Sequence, residues 1–361
     1  AALGAGFKGL SYYMFVDRDH WYGAPLAKDG TVTEGYELVS NFNTKLMEIE
    51  FEEMDATPKV AMLSNRLYDW LSRTSSKKEL PYLKRLVGQT ETGICQDLLR
   101  AKVDYGIREN REYETMGDYR LLFVVTTEVM AEKDQEALVE LARQGVSIVL
   151  CGVMPKYDEN FKSCQVLANH LRIKTTVDFH IDTVAYRQQS EFPAYVYATI
   201  RSTDDGKVKK IAKVGSKLVG VCSSRFKGNV YFFSFDIASG GDRRKLTILD
   251  DILRSEKLAT GLDCSDPSVH LAFQMGQKKG MLFVVVPPSG ALSDGLQFSR
   301  KEIIIQVDLK ALGMSAANVK LTDLFAGEEA KPIRTTAKAL KAGLPLEVDY
   351  PDGHIFLVER R

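Results

Sequence analysis

The feature that most constrains the fold is an alternation of strand-like and helix-like segments between residues 59 and 151. Short apolar runs at residues 60–63, 105–108, 121–126 and 146–151 predict buried strands. Helical patterns separate them at residues 82–87, continued at 94–102, and at 132–143, where Gly145 ends the helix. Strands separated by helices pair in parallel and are covered on both faces. The sequence therefore predicts an α/β domain with a parallel sheet.

The next part of the chain adds a β-rich insertion to this domain. After a predicted helix at residues 161–171, five short β-like runs are separated by turns such as Asp205-Gly206 and Lys227-Gly228. The runs cover residues 178–186, 194–201, 207–214, 218–223 and 229–236. A helix at residues 243–253 closes the domain. We expect the insertion to return to the parallel sheet.

The last part, from residue 268 to the C-terminus, has strand spacing and no long helical period. Six runs predict strands at residues 269–273, 281–286, 302–307, 319–323, 346–348 and 355–358. A small antiparallel β-sandwich is the economical interpretation. The predicted domains are therefore residues 1–57, 58–257 and 258–361.

Composition narrows the possible partners. Lys plus Arg and Asp plus Glu both number 48, so the chain lacks the basic field of a nucleic-acid-binding protein. The longest apolar runs, at residues 121–125 and 281–286, are far shorter than the ~20 residues that span a bilayer. The five cysteines are an odd, scattered set without a C-x-x-C pair. We expect reduced thiols in a cytoplasmic protein with no nucleic-acid or membrane partner.

The α/β domain offers no convincing catalytic or cofactor site. The first strand is followed by neither G-x-G-x-x-G nor a P-loop lysine. Cys151 follows a strand, as an amidotransferase nucleophile would, but Leu150 replaces the glycine that a strained elbow needs, so a core thiol is predicted. Four isolated histidines are interpreted as structural: His170, His180, His270 and His354. No cofactor and no metal are predicted.

The densest chemistry lies near the start of the chain. Residues 10–16 form an apolar, aromatic run that predicts a buried strand, and a polar loop follows it. Thr33 is predicted to cap a helix over residues 33–50. Apolar side chains recur in that helix at intervals of three and four: Tyr36, Val39, Phe42, Leu46 and Ile49. The segment is one strand–loop–helix unit.

The spacing of this unit resembles a known family. Y-M-F at residues 13–15 is followed by H-W-Y-G-A-P-L at residues 20–26, D-G at 29–30 and T-E-G-Y at 33–36. This pattern resembles the family 35 glycoside hydrolases, the β-galactosidases. The resemblance implies that residues 10–16 are the eighth strand of a (β/α)8 barrel (TIM barrel) and residues 33–50 its eighth helix. Active sites of such barrels lie at the C-terminal ends of the strands.

The same resemblance implies roles for loop residues. Tyr13 and Tyr22 match tyrosines that line the sugar site, and Trp21 offers a stacking face. Asp17 and Asp19 stand where the family has a glycine-rich stretch, and they match neither catalytic glutamate. Those glutamates belong to earlier strands that this sequence lacks. We therefore expect no catalytic residue in this chain, no activity from it alone, and a start partway through a longer polypeptide.

The order of the later domains resembles family 42 β-galactosidases, in which a flavodoxin- or amidotransferase-like trimerisation domain precedes a small β domain. The combination with a family 35-like barrel resembles a hybrid group that includes archaeal exo-β-D-glucosaminidases. It implies a homo-oligomer and the C-terminal portion of an exo-acting retaining β-glycosidase, β-galactosidase-type. The alternatives are an exo-β-D-glucosaminidase acting on chitosan oligosaccharides and a non-catalytic oligomerisation and carbohydrate-contact module. The implied partners are an oligosaccharide substrate and the missing N-terminal barrel portion.

Overall fold

The structure is a computed structural model of the chain. It describes residues 2–12, 14–18, 24–74, 82–187, 190–202, 206–258, 260–286, 299–326, 330–350 and 353–361. The chain divides into two compact units, called here the α/β unit, Pro58–Ala259, and the β unit, Ala1–Thr57 with Thr260–Arg361. Residues 1–57 thus belong to the same compact unit as the C-terminal strands.

Nine strands form one sheet in the α/β unit. They are β1 Val60–Ser64, β2 Tyr105–Glu109, β3 Leu121–Thr126, β4 Ser147–Gly152, β5 Ile173–Tyr186, β6 Ser190–Ser202, β7 Val208–Val214, β8 Lys217–Ser223 and β9 Val230–Phe233. Strands β2, β1, β3, β4 and β9 lie side by side in that order and are parallel. The predicted parallel α/β sheet is confirmed.

Helices cover both faces of this parallel part. They are α2 Arg66–Thr74, α3 Leu83–Arg85, α4 Thr92–Arg100, α5 Glu132–Gln144, α6 Val166–Leu171 and α7 Arg243–Ser255. Every residue of β3 and of β4 is buried, as expected for strands covered on two sides. A π-helical segment, Leu86–Glu91, joins α3 to α4 without a break.

The β-rich insertion extends the same sheet in antiparallel fashion. Strand β8 pairs with β9, and β6, β5 and β7 follow in the order β8-β6-β5-β7. After the antiparallel strands β5 to β8, the chain returns to the parallel part of the sheet, because β9 pairs in parallel with β4, as predicted. The helix expected at residues 161–171 is shorter and begins at Val166. The Asp158 carboxylate accepts hydrogen bonds from the backbone of Asn160 and Lys162 and holds this segment in a turn.

The β unit contains two antiparallel sheets with a shared apolar core. Its strands are β10 Leu262–Cys264, β11 His270–Met275, β12 Lys279–Val285, β13 Ser299–Val307, β14 Asn318–Asp323, β15 Ile333–Thr336, β16 Leu344–Tyr350 and β17 Gly353–Arg360. One sheet has the order β10-β13-β16, the other β11-β12-β17-β14-β15. Buried side chains such as Val284, Ile305 and Val358 fill the space between them. The predicted antiparallel sandwich is confirmed, with a short helix α8, Ala337–Ala342, that the sequence pattern missed.

The first 57 residues pack on this sandwich through a small second core. Leu3, Phe51 and Met54 are buried together with Met281 and Phe283 of β12. The backbone of Asp55 exchanges hydrogen bonds with that of Met275. Among the described residues, no helix has the length and apolar character needed to cross a bilayer.

The predicted buried strand at residues 10–16 is wrong. Leu10 is 42% exposed and Val16 is 44% exposed, and the segment forms no ladder. Its one described bridge joins Val16 to Leu26. A strand needs neighbouring backbones to satisfy its N–H and C=O groups, and the described part of the chain places no other strand beside it. The helix that follows, α1 Glu34–Glu48, forms as predicted with Thr33 as its cap.

Glu91 is one of several carboxyl groups that make the stability of the α/β unit depend on pH. Burial raises the pKa of Glu91 from 4.5 to about 7, although a hydrogen bond with Ser64 opposes the shift. The folded state therefore keeps a proton that the unfolded chain releases, so this contribution to stability is present below pH 4.5 and is lost as pH rises through about 7.

We predict that Glu91→Gln flattens the pH dependence of the free energy of unfolding between about pH 5 and 8. At pH 8 the free energy of unfolding of the variant should exceed that of the parent by about 1–3 kcal/mol, because the variant lacks the charge of this carboxylate. Urea titrations at several pH values measure this, with Glu114→Gln on the surface as the matched control. An unchanged slope for Glu91→Gln would contradict the assignment.

Candidate functional site

The predicted site is the loop after residue 16, and the structure describes its two stems. Asp17 lies within the described residues and is half-buried. Tyr13, Asp19, Trp21 and Tyr22 lie outside them. What the structure places is therefore the scaffold that holds residues 19–23, namely residues 14–18 on one side and 24–36 on the other.

Backbone hydrogen bonds join the two stems. The Asp17 amide donates to the Leu26 carbonyl at 2.7 Å, and the Leu26 amide donates to the Phe15 carbonyl at 3.0 Å. The two ends of the segment between Asp17 and Leu26 therefore lie side by side. The stems hence fix both ends of the loop that carries the predicted sugar-contacting residues.

A tight turn shapes the second stem. The Gly30 amide donates to the Ala27 carbonyl at 2.9 Å, and the Ala27 amide donates to the Thr31 carbonyl at 2.8 Å. Gly30 has φ 86°, a conformation that glycine adopts without steric cost. Hydrogen bonds from Thr31 to the Asp29 carboxylate lower the pKa of Asp29. Gly30 therefore provides the backbone conformation of the turn, and the Asp29 carboxylate stabilises the turn by accepting hydrogen bonds from Thr31.

Thr33 ties the stem to the helix that follows. Its hydroxyl lies 2.6 Å from the Ala24 carbonyl oxygen and 3.1 Å from that of Pro25. The same oxygen accepts a hydrogen bond from the Gly35 amide at 3.2 Å, and the Thr33 amide donates to the Pro25 carbonyl at 3.1 Å. One threonine thus caps α1 and holds the Ala24-Pro25 end of the loop. This explains the fixed spacing between A-P-L and T-E.

Aromatic side chains attach the first stem to α1. The rings of Phe15 and Tyr36 meet edge to face with centroids 6.2 Å apart. The Tyr12 hydroxyl donates to the Asn43 side-chain oxygen at 3.0 Å. Between them, Met14 adopts the left-handed conformation at φ 65°, which costs a residue with a Cβ about 1–2 kcal/mol. This left-handed residue interrupts the extended backbone that a strand over residues 10–16 would need.

In the described part of the loop, Asp17 is a carboxylate that does not take part in the Asp29-Gly30 turn. A retaining glycosidase needs two, with carboxyl groups ~5–5.5 Å apart. Within the residues that the structure describes, no group of three or more His, Cys, Asp and Glu side chains could hold a metal ion.

Two other candidates from the sequence, Cys151 and His354, make structural contacts. Cys151 is buried, its thiol donates to the Phe235 carbonyl at 3.2 Å, and burial raises its pKa far above the ordinary value. None of the five cysteines forms a disulfide. His354 lies 2.6 Å from the Asp323 carboxylate and 2.8 Å from the Glu347 carbonyl. The interpretation of Cys151 and His354 as structural residues is confirmed.

We predict that Thr33→Ala loosens the second stem while the rest of the chain stays folded. The change removes a helix cap, typically worth ~1 kcal/mol, and the ties to Ala24 and Pro25. Hydrogen exchange of the amides in residues 24–36 should accelerate, while exchange in β3 should not change. Thr33→Ser keeps the hydroxyl and is the matched control. Equal exchange in parent and Thr33→Ala would show that the hydroxyl does not hold the stem.

Comparison with known proteins supports a glycosidase-type fold. Residues 81–208 match the family described as GLMA-like, second domain. A curated β-1,2-glucosyltransferase from Ignavibacterium album is 21% identical over 194 residues, which are 53% of this chain and 27% of the relative.

Solved structures show the same fold over almost the whole chain. A family 42 β-galactosidase from G. stearothermophilus superposes with a TM-score of 0.69 at 14% identity, covering 94% of this chain and 46% of the other. An α-L-fucosidase from Paenibacillus thiaminolyticus gives 0.60 at 13% identity, covering 94% and 55%. The chain spans about a quarter of the curated relative's length and about half of these structures. The resemblance predicted from the sequence is confirmed: this chain resembles the C-terminal part of a β-galactosidase-like protein.

Proposed function

We propose that this chain is the C-terminal portion of an exo-acting retaining β-glycosidase of the β-galactosidase type, which hydrolyses terminal non-reducing β-linked sugars. The observation that carries the proposal is the scaffold of the predicted sugar loop. Ala24, Pro25, Leu26, Gly30 and Thr33 all match the family 35 pattern, and each makes a hydrogen bond that shapes or closes this loop. The motif is hence supported by a physical reason for its spacing.

The apolar surface around the loop supports a barrel as its setting. Of the 17 large apolar side chains that are exposed within the described residues, nine lie between residues 7 and 47. They are Phe7, Leu10, Tyr12, Phe15, Val16, Val32, Tyr36, Leu38 and Met47. Such a concentration is typical of a surface that another part of a protein covers. We propose that the remaining strands and helices of a (β/α)8 barrel cover it and bring both catalytic glutamates.

The sugar-contacting roles in this proposal fall on the loop. Tyr13 and Tyr22 hydrogen-bond sugar hydroxyls, and Trp21 stacks on the sugar ring. Asp17 and Asp19 bring negative charge to the pocket wall, where an ammonium group of a 2-amino sugar would gain a charge-assisted hydrogen bond. That charge is the specific feature that supports the exo-β-D-glucosaminidase alternative, and the positive charge of Arg18 opposes it.

Substitutions in the full-length enzyme test the proposal and separate the two substrates. If an aspartate reads the amine, Asp17→Asn or Asp19→Asn should lower kcat/KM for a glucosaminide by on the order of tenfold, with a much smaller effect on a galactoside. Tyr22→Phe should lower both values, because a phenol that reads hydroxyls does not depend on the amine. Small, equal effects of the aspartate changes would count against the glucosaminidase alternative and leave the β-galactosidase assignment in place. Unchanged kcat/KM values in all three variants would show that the loop does not contact the substrate.

The remaining alternative is a non-catalytic oligomerisation and carbohydrate-contact module. Sedimentation and denatured mass of the native protein separate it from the enzyme. An enzyme portion predicts a subunit of roughly twice this length, because a complete (β/α)8 barrel adds about 250 residues, and we propose that the α/β unit assembles such subunits into a homo-oligomer. A native subunit of this chain's own length would favour the module, and a monomer at every concentration would contradict the assembly.

A further inference from the structure

The α/β unit contains a cleft that no part of the proposed function uses. It has a volume of about 560 Å³, within the ~300–1,000 Å³ usual for small-molecule sites. Its walls are formed mainly by one face of the continuous helix over residues 85–96, residues 193–195 of β6, and the loop of residues 236–242 between β9 and α7, and they are completed by Ile181 of β5 and Lys245 of α7. It therefore opens beyond the carboxyl end of β9, the side of a parallel sheet where ligands bind.

The helix presents a polar stripe to this cleft. Arg85, Gln89, Thr92 and Gln96 line it at intervals of three and four, with Gly88 and Gly93 among them. The opposite face of the same helix carries the buried core residues Leu86, Ile94 and Leu98. The stripe passes through the π-helical segment Leu86–Glu91, a rare geometry that occurs frequently at functional sites.

Charged groups at the base of the cleft are held rigidly. The Arg85 guanidinium bonds to one oxygen of the buried Asp236 carboxylate at 2.9 and 3.1 Å and stacks over the Tyr195 ring, 3.4 Å from its centroid. The Lys245 ammonium is buried and donates to the Asp236 and Ala238 carbonyls at 3.1 Å each. The base thus needs no rearrangement to receive a ligand.

The charge of the lining indicates what kind of ligand fits. Arg85 and Lys245 are offset by Asp236 and Asp242, and Asp242 is itself paired with Arg244 at 2.7 Å. Arg85 is paired with Asp236, and the buried Lys245 ammonium is held by two backbone carbonyls. Because each charged group of the lining already has a hydrogen-bonding partner in the protein, a charged ligand would compete with these contacts. The lining therefore favours a neutral molecule.

The uncharged groups indicate its chemistry. Gln89, Thr92 and Gln96 offer both donors and acceptors, as ligand hydroxyls require. Small apolar side chains complete the wall, namely Ile181, Pro193, Ala194 and Ala238. We propose that this cleft binds a neutral, polyhydroxylated molecule of mono- or disaccharide size. The proposal does not depend on the glycosidase assignment, because it rests on the α/β unit alone.

Gly88 allows a direct test. A Cβ built on Gly88 meets no atom within 4 Å, so a side chain there enters open space at the wall of the cleft. Gly88→Phe should occupy the cleft, whereas Gly88→Ala is the matched control and leaves it open. Gln96→Leu removes a polar group from the exposed part of the stripe without adding bulk. This second variant tests the site if Gly88→Phe does not fold.

The measurement is titration calorimetry of the complete chain with D-galactose, D-galacturonate, protonated D-glucosamine and adenosine. We expect saturable galactose binding with Kd on the order of 1 mM, weakened about tenfold or more by Gly88→Phe or Gln96→Leu and unchanged by Gly88→Ala. Tighter binding of an ionic sugar or of the nucleoside would overturn the ligand class. No saturable galactose binding, or binding that Gly88→Phe and Gln96→Leu both leave unchanged, would overturn the site.

Discussion

A β-strand buries its apolar side chains only where neighbouring strands satisfy its backbone groups, and this constraint organises the described chain. In the α/β unit, β3 lies between β1 and β4, and all of its side chains are buried. In the β unit, β12 lies between β11 and β17 and is buried for the same reason. Residues 10–12 and 14–16 have a comparable apolar character but no such neighbours, and Leu10, Phe15 and Val16 are exposed. We propose that the other strands of a barrel supply such neighbours for this run.

The loop that follows this run is organised by local interactions. Thr33 holds Ala24 and Pro25, the Asp29-Gly30 turn shapes the stem, and Leu26 bonds to both sides of Val16. These contacts span at most eleven residues, so they form without the rest of a barrel. Under the proposed function, fixing both ends of the loop would lower the entropic cost of ordering its sugar-contacting side chains on binding.

The sequence predicted most of the fold because its patterns are strong where strands are buried on two sides. Residues 121–126 were predicted as a strand and form β3 with the same bounds. Short elements were missed: α8 has six residues, too few for a helical period to be recognised, and β15 has four. The helix expected to start at residue 161 starts later because the Asp158 side chain competes for backbone amides, a contact that apolar spacing does not encode.

The candidate site was predictable only in part. The spacing of A-P-L, D-G and T-E encodes local hydrogen bonds, and the structure contains them. The cleft beside Arg85 and Asp236 was not predicted, because these residues are 151 positions apart and meet only in the folded sheet. Its one visible signal was a helix whose second face carries glycines, glutamines and a threonine instead of apolar residues.

The central claim is that the loop between Asp17 and Ala24 forms part of a sugar site in a larger glycosidase. The most direct measurement is a crystal structure of the native, full-length protein with a non-reducing-end sugar or sugar-mimicking inhibitor bound. The account predicts that the Tyr22 hydroxyl lies at hydrogen-bonding distance, about 2.6–3.2 Å, from a sugar hydroxyl. A bound sugar with this loop out of contact, or a loop folded away from the catalytic pocket, would contradict it.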